Sequence, residues 1–394
     1  MSDTPVSDAP VSDTPVRDAP VRDAPVSDAL VRDASVHDAP VRDTPVSDAP
    51  AGGVLGSGSL TRARGAGRGP AGPVRVAAID CGTNSLRLLV ADADPHRGTL
   101  TDLVRRMEIV RLGQGVDATG RLAPDALART FRVLAEYAAI VADSAAVAVR
   151  MVATSATRDA ANAAEFVRGV TQILGVPPEV LSGGQEASLS FIGATAELAS
   201  PGPGRERFAP PYLVVDIGGG STEFVLGGGQ AGGAGPVAAI SVDIGCVRMT
   251  ERHLHSDPPT GSQIAAATAD IDAAIGRAAA DVSPQRARTL VGLAGSVTTV
   301  AGIALELPAY DASRIHHARI PASQVHAVTR MLLGQTRAQR SQIGVMHPGR
   351  IDVIGAGALV LDRILAQLGL AEVVVSEHDI LDGIAWSLVD LHAG

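Results

Sequence analysis

The sequence predicts an α/β protein built from two similar domains facing one another across an interdomain cleft. Three observations carry this. From Val74 onward, short apolar strand runs alternate with helix-length runs, the pattern of a layered α/β fold. The segment Val214 to Phe224, VVDIGGGSTEF, reads as strand, tight turn, strand. Its upstream counterpart is Val76 to Val90, VAAIDCGTNSLRLLV, which aligns Asp80 with Asp216, Gly82 with Gly218 and Ser85 with Ser221. The copies stand 136 residues apart, too long a period for a solenoid and suited to a domain duplication.

The elements follow in order. Residues 2–50 repeat a pentapeptide close to S/R-D-A/T-P-V, with Asp at every fifth position from Asp3 to Asp48. Proline recurs too often for a helix, and valine alone cannot offset the entropy of ordering, so 1–73 is expected to be a disordered tail. Strands are expected at 74–80, 85–92 and 100–113, then a helix over 124–143, a strand at 147–154 and a helix over 160–174. A Ser-Gly-Gly turn leads into a helix over 184–199, and a Pro/Gly/Arg loop spans 200–211. Strands at 212–217, 221–228 and 236–243 repeat the three-strand opening. Helices over 260–283, 321–333 and 349–368 follow, with strands at 288–294 and 371–375. Ser376 with Asp379 reads as a capping box for a last helix. The expected domains are 74–189 and 190–394, with the last helix packing back on the first.

Composition narrows the function. The chain of 394 residues is 46% hydrophobic, enough for two packed domains. Only 2% is aromatic and the net charge is -9, which disfavours stacking platforms and a nucleic-acid partner. Two cysteines, Cys81 and Cys246, are too few for a disulfide framework and suit a reducing cytoplasm. The start has no basic region followed by an apolar one, and no long uncharged apolar run occurs; a soluble, cytoplasmic protein without a membrane partner is expected. All 33 basic residues are arginine. The lysines of P-loop and kinase chemistry are thereby absent, and phosphate falls to backbone amides, hydroxyls, arginine or metal.

The turns supply such groups. Glycine lets the backbone approach a ligand and take up φ > 0, so that successive N–H groups point into one concavity. Asn84, Ser85, Gly218, Gly219, Gly220, Ser221 and Thr222 form the expected phosphate cradle with Gly82, the backbone of Cys246, Gly295 and Ser296. Arg158, just after a Thr-Ser-Ala-Thr turn, is the first candidate for a bidentate grip on phosphate, and Arg87 the second. The pair His316-His317, with His347 and His378, shows no metal-ligand spacing.

Six segments, AAIDCGTNSLRLLV, VATSATRDAANAAEF, LSGGQEASLSFIGA, VVDIGGGSTEFVLG, SVDIGCVRMTER and GLAGSVTTVAG, resemble in order those of the exopolyphosphatase/guanosine pentaphosphate phosphatase (Ppx/GppA) family. The resemblance covers 74–394 and implies an actin-like duplicated fold in a short form, without the C-terminal metal-dependent phosphohydrolase-type domain of some members. It implies hydrolysis of the terminal phosphoanhydride of inorganic polyphosphate or, alternatively, of guanosine pentaphosphate. The family's base, the second glutamate of S-G-x-E-E-A-R, maps onto Glu186. Gln185 replaces the first glutamate and Ser188 the arginine, so an acid and a cation are expected to be missing near the substrate. Asp80, Asp216 and Glu223 are oxygen ligands of the kind Mg²⁺ takes. A weakly active regulator that binds guanosine tetraphosphate or polyphosphate, a sugar or acid kinase on the same fold, and a homodimer are the other readings carried forward.

Overall fold

The computed structural model describes residues 72–199, 208–228 and 235–392. The tail expected over 1–73 lies outside these residues except for Gly72 and Pro73, as does most of the expected 200–211 loop. The first half runs β1 (Val74–Cys81), β2 (Ser85–Asp94), β3 (Thr99–Ile109), α1 (Val116–Thr119), α2 (Pro124–Asp143), β4 (Ala148–Ala153), α3 (Ser155–Asp159), α4 (Ala163–Leu174), β5 (Glu179–Val180) and α5 (Gly183–Ala199). The second runs β6 (Tyr212–Ile217), β7 (Thr222–Gly227), β8 (Pro236–Val242), α6 (Cys246–His253), α7 (Gly261–Val282), β9 (Thr289–Leu293), α8 (Ala294–Ala304) and α9 (Ala312–Ile315). It ends with β10 (Arg319–Pro321), α10 (Ala322–Gly334), α11 (Arg337–Arg340), α12 (Ile354–Leu368), β11 (Glu372–Val375) and α13 (Ile380–His392).

Two sheets repeat one topology. The first has strand order β3-β2-β1-β4-β5; the second, read as β8-β7-β6-β9-β11, matches it and adds β10 at the edge. In each, an antiparallel three-strand meander is followed by a strand parallel to its first member, β4 on β1 and β9 on β6. Parallel pairing needs a crossover, which α2 and α7 supply. Each sheet has its own apolar cluster, around Leu86, Leu134, Tyr137 and Phe166 in the first and Leu213, Phe224, Ile271 and Val360 in the second.

Helices α5 and α13 join the halves. The apolar positions Ile380, Leu381, Ile384, Ala385, Leu388 and Val389 recur with helical spacing and bury against Val76, Ala78 and Leu89 of the first sheet. Each large one stabilises the fold by roughly 1.5–3 kcal/mol. Meanwhile Ala187, Phe191, Ala194 and Leu198 of α5 pack on Val214 and Val225 of the second sheet. The helices cross at glycines, since a Cβ on Gly193 would lie 1.8 Å from the Asp379 carbonyl oxygen and one on Gly383 2.0 Å from that of Leu189. The domain boundary expected at residue 189 therefore falls inside a helix that serves both halves.

Three local expectations need correction. Strand β3 stops at Ile109, because Val110 and Arg111 donate their amides to the Asn84 carbonyl at 3.0 and 2.9 Å and turn the chain toward the first glycine bend. The cap of α13 is Asp379, whose Oδ1 accepts from Leu381 N at 3.0 Å while Asp382 Oδ2 accepts from Asp379 N at 2.9 Å; Ser376 is occupied with His378. Helices α6 and α8 were not expected. In α8 the run GSVTTVAG is poor in helix formers, and burial of Val297, Thr299, Val300 and Ala301 overrides that preference.

Candidate active site

The two bends close in the same way. Gly82 N donates to Ser85 O and Gly218 N to Ser221 O, each at 3.0 Å. Asp80, Gly82, Asn84, Ser85, Asp216, Gly218, Gly219 and Ser221 line one cleft, together with Glu186, Gly295 and Ser296. None of the bend glycines takes the positive φ that the sequence suggested. Two of them are needed for close approach instead: a Cβ on Gly219 would lie 2.8 Å from Thr83 Cβ, and one on Gly220 2.6 Å from Ser155 Oγ. The second bend thus rests directly on the first half of the molecule.

Two expected cradle members face elsewhere, and a third has its amide engaged. Thr222 is fully buried and donates its hydroxyl to the Ile244 carbonyl at 3.1 Å. Gly220 does not line the cleft, and its carbonyl accepts from Gly245 N and from Arg248 Nε. The Cys246 side chain does line the cleft, but its amide is spent on the Gly218 carbonyl at 2.9 Å, so it has no N–H to give an anion. Both cysteines are buried free thiols, and burial pushes each thiol up.

Glu186 sits in the first turn of α5 and is 8% exposed. Burial, reinforced by the charges of Asp216 and Asp80 and opposed by Arg158, pushes its carboxyl up to about 7. Asp216 accepts from Ser190 Oγ at 2.6 Å; burial and the Asp379 charge push it to about 6. Burial also raises Asp80, against the pull of Arg87. Among the described residues Asp80 Oδ1, buried in the cleft wall, has no hydrogen-bond partner, which is the demand a hard cation meets. Glu223 leaves this set: it does not line the cleft, and its Oε1 accepts from Ser241 Oγ at 2.7 Å. Burial, then the neighbouring Glu186 and Asp216, raise its carboxyl well above the usual range. Asp80 and Asp216 remain as the cleft-facing oxygen pair.

The arginines are arranged differently from expectation. Arg87 lies in the cleft but binds Asp80 Oδ2 through Nε and Nη2, at 3.0 and 2.7 Å, and Asp379 through Nη1. Arg158 does not line the cleft; its Nη1 donates to Leu181 O at 2.9 Å and to Glu186 Oε2 at 3.1 Å. It holds the candidate base rather than a ligand. The cleft cation missed in the sequence is Arg350. It packs flat on Gly295, where a Cβ would lie 2.2 Å from Cζ, and donates to Thr299 Oγ1 at 3.3 Å. Among the described residues no carboxylate pairs with it, and burial works against its charge, so an anion in the cleft would be its natural counterion. Beside it, Ala294 holds φ 69°, strain of the kind that collects at ligand sites. The only sequence signal for Arg350 was the His-Pro-Gly turn before it.

The two departures from the resembled motif lie off the cleft. Gln185 Oε1 accepts from Ser182 N and Ser182 Oγ, both at 2.9 Å, and so caps α5, a position that takes Gln as readily as Glu. Ser188 bonds back to Gly184 O at 2.9 Å. Neither lines the cleft. A separate cluster, Glu197, His316 and His378, has metal-ligand types within 4.8 Å of one another. His316 Nδ1, however, accepts from Glu377 N at 3.1 Å, which puts the proton of the neutral ring on Nε2, facing Glu197 at 3.3 Å and leaving no lone pair for a metal.

The chain has relatives among known proteins. Residues 89–392 match the Ppx/GppA phosphatase family. The chain is 50% identical over 325 residues to Exopolyphosphatase 2 of Mycobacterium tuberculosis, covering 80% of this chain and 98% of that protein. It is 31% identical over 314 residues to a bifunctional 3-dehydroquinate synthase/phosphatase of Fusobacterium nucleatum, covering 78% of this chain and 45% of that protein. The crystal structure of an exopolyphosphatase-like protein superposes with a TM-score of 0.75 at 43% identity, covering 81% of this chain and 98% of the other. That of the Aquifex aeolicus Ppx/GppA family member gives 0.66 at 29% identity, over 81% and 98% of the two chains. With the family match spanning most of the chain and a relative at 50% identity along nearly its whole length, the protein belongs to the Ppx/GppA phosphatase family.

Proposed function

We propose that the cleft hydrolyses the terminal phosphoanhydride of inorganic polyphosphate, with Glu186 as general base. The protein is a phosphoanhydride hydrolase of the exopolyphosphatase kind. The observation that carries the residue roles is that Glu186, with a carboxyl near 7, shares one cleft with both glycine bends. A carboxyl in that range accepts a proton at neutral pH far better than an ordinary glutamate, whose reference value is about 4.3. Water entering beside Glu186 gives its proton to that carboxylate and attacks the terminal phosphorus. Ser85, Ser221 and Asn84, with the bend amides, take the equatorial oxygens where charge gathers. Arg350, which pairs with no carboxylate among the described residues, faces the anion, Arg158 fixes the direction of the Glu186 carboxylate, and Arg87 braces Asp80. Asp80 and Asp216 would hold Mg²⁺, which when bound supplies charge neutralisation to the phosphate oxygens.

A second reading, guanosine pentaphosphate hydrolysis, is favoured by a further cavity. It shares Arg87, Gly295 and Arg350 with the cleft and is walled by Met107, Tyr310, Met346 and Pro348, apolar enough for a nucleoside. Phosphate release from short polyphosphate, long polyphosphate, guanosine pentaphosphate and ATP, each with and without Mg²⁺, separates the readings. Release from polyphosphate only with the cation is expected. Turnover of the guanosine compound alone would select the second reading, and tight binding without release would refute hydrolysis.

A further inference from the structure

We propose that Arg248 is a positioning residue that aims the second glycine bend at the substrate and locks it to the opposite half of the molecule. The start of α6 lies against this bend, and its amides bond to protein carbonyls. Cys246 N donates to Gly218 O at 2.9 Å, Val247 N to Gly219 O at 2.8 Å, and Gly245 N to Gly220 O at 3.2 Å. All three glycine carbonyls are thereby drawn out of the cleft. A carbonyl facing a polyanion would repel it, so this tethering is what makes the bend an anion site. The approach requires Gly245, where a Cβ would lie 2.3 Å from the Gly219 oxygen.

Arg248 adds the link across the halves. Its Nε donates to Gly220 O at 2.8 Å, Nη1 to Asp117 Oδ1 at 2.8 Å and Nη2 to Asp159 Oδ2 at 2.5 Å. Asp117 and Asp159 belong to α1 and α3 in the first half. One planar guanidinium therefore joins a carbonyl of the phosphate bend to two carboxylates beyond it, a three-way geometry that lysine cannot reproduce. Glu251, on the same helix, accepts from Gly115 N at 3.1 Å and closes the seam. The Arg248 side chain is 13% exposed, and its partners Asp117 and Asp159 are 22% and 34% exposed, so solvent reaches the contact from the carboxylate side.

The inference rests on the hydrolase reading for its kinetic consequence but not for its structural one. Hydrogen exchange at residues 218–221 and steady-state phosphate release from polyphosphate are measured for the wild type, Arg248→Ala, Arg248→Lys and Asp159→Asn. Arg363→Ala, whose ion pair with Asp272 joins α12 to α7 and involves neither the bend nor the partners of Arg248, is the control for general destabilisation. Arg248→Ala and Asp159→Asn are expected to speed exchange in the bend about tenfold and to lower kcat by about tenfold or more, with KM changed less, because misplaced donors cost most in the transition state. Arg248→Lys should recover little, and the control should leave the bend's exchange unchanged. Should Arg248→Ala fail to fold, Asp159→Asn, at the more exposed end of the contact, carries the test. Unchanged exchange in the bend, or an equal effect from the control, overturns the proposal. Absent phosphate release by every protein, wild type included, would refute the hydrolase reading while the exchange data still decide this one.

Discussion

Glu186 owes its proposed role to its surroundings: a buried carboxylate beside two other acids, restrained by one guanidinium. Removing that guanidinium has a definite sign. Arg158 favours the charged form, so Arg158→Ala should move the acid limb of kcat/KM to higher pH, by roughly one unit, and the pH–rate profile checks this. An unmoved limb would separate Arg158 from the base. Gln185→Glu should leave kcat and chain-length preference within about twofold, as befits a capping residue outside the cleft; kinetics on short and long chains provide the check. At this scale Asp80, Asp216, Ser85, Ser221 and Glu186 were legible because duplicated turns and a family motif marked them. Arg350 was not, since it reaches the cleft from a connection far along the chain, and neither was the pairing of Asp379 with Arg87. Thr222 misled because strand alternation turned its hydroxyl inward, a choice of face that the turn itself does not reveal.

The bends are the elements on which the proposed chemistry depends, and Gly219 and Gly220 of the second bend closely meet the opposite half. Gly220→Ala would drive a methyl into Ser155 and Thr83, so activity should fall at least about tenfold while far-UV circular dichroism stays native. Gly184→Ala, in the first turn of α5 with open space around it, should keep activity and raise stability by about 0.5–1 kcal/mol. Near-normal turnover in Gly220→Ala would deny that the bend's close seating matters. The long elements could be read from periodicity because their apolar faces are regular. Helix α8 was hidden because its β-branched residues favour strands and only burial makes it helical, and the cap of α13 was displaced because Ser376 found a nearer partner in His378.

Across the whole molecule, four buried acids have raised carboxyls: Asp80, Glu186 and Asp216 line the cleft, and Glu223 lies beside Glu186 and Asp216. A folded-state value above the unfolded one means that the folded chain keeps its proton longer. This stabilisation is complete below the unfolded value of about 4 and is lost as pH rises through the folded values, near 6 for Asp216 and 7 for Glu186. Thermal stability without divalent cation should therefore fall between about pH 5 and 8, and Glu186→Gln should be more stable than wild type at pH 8 by roughly 1–3 kcal/mol. Denaturant titrations at pH 5 and pH 8 decide this, and a Glu186→Gln protein less stable at pH 8 would contradict it. The duplication was visible in the sequence because each copy carries its own strand–turn–strand signature. The sequence led to the expectation that the last helix packs back on the first half, but not to its crossing of α5 at Gly193 and Gly383, a three-dimensional coincidence of two distant helices.

The most direct measurement compares wild type and Glu186→Gln in a single-turnover reaction with short polyphosphate and Mg²⁺, alongside equilibrium binding of the same substrate. Binding retained within about threefold, with phosphate release slowed at least about a hundredfold, is the expected result for loss of a general base. Release by Glu186→Gln at close to the wild-type rate would contradict the account.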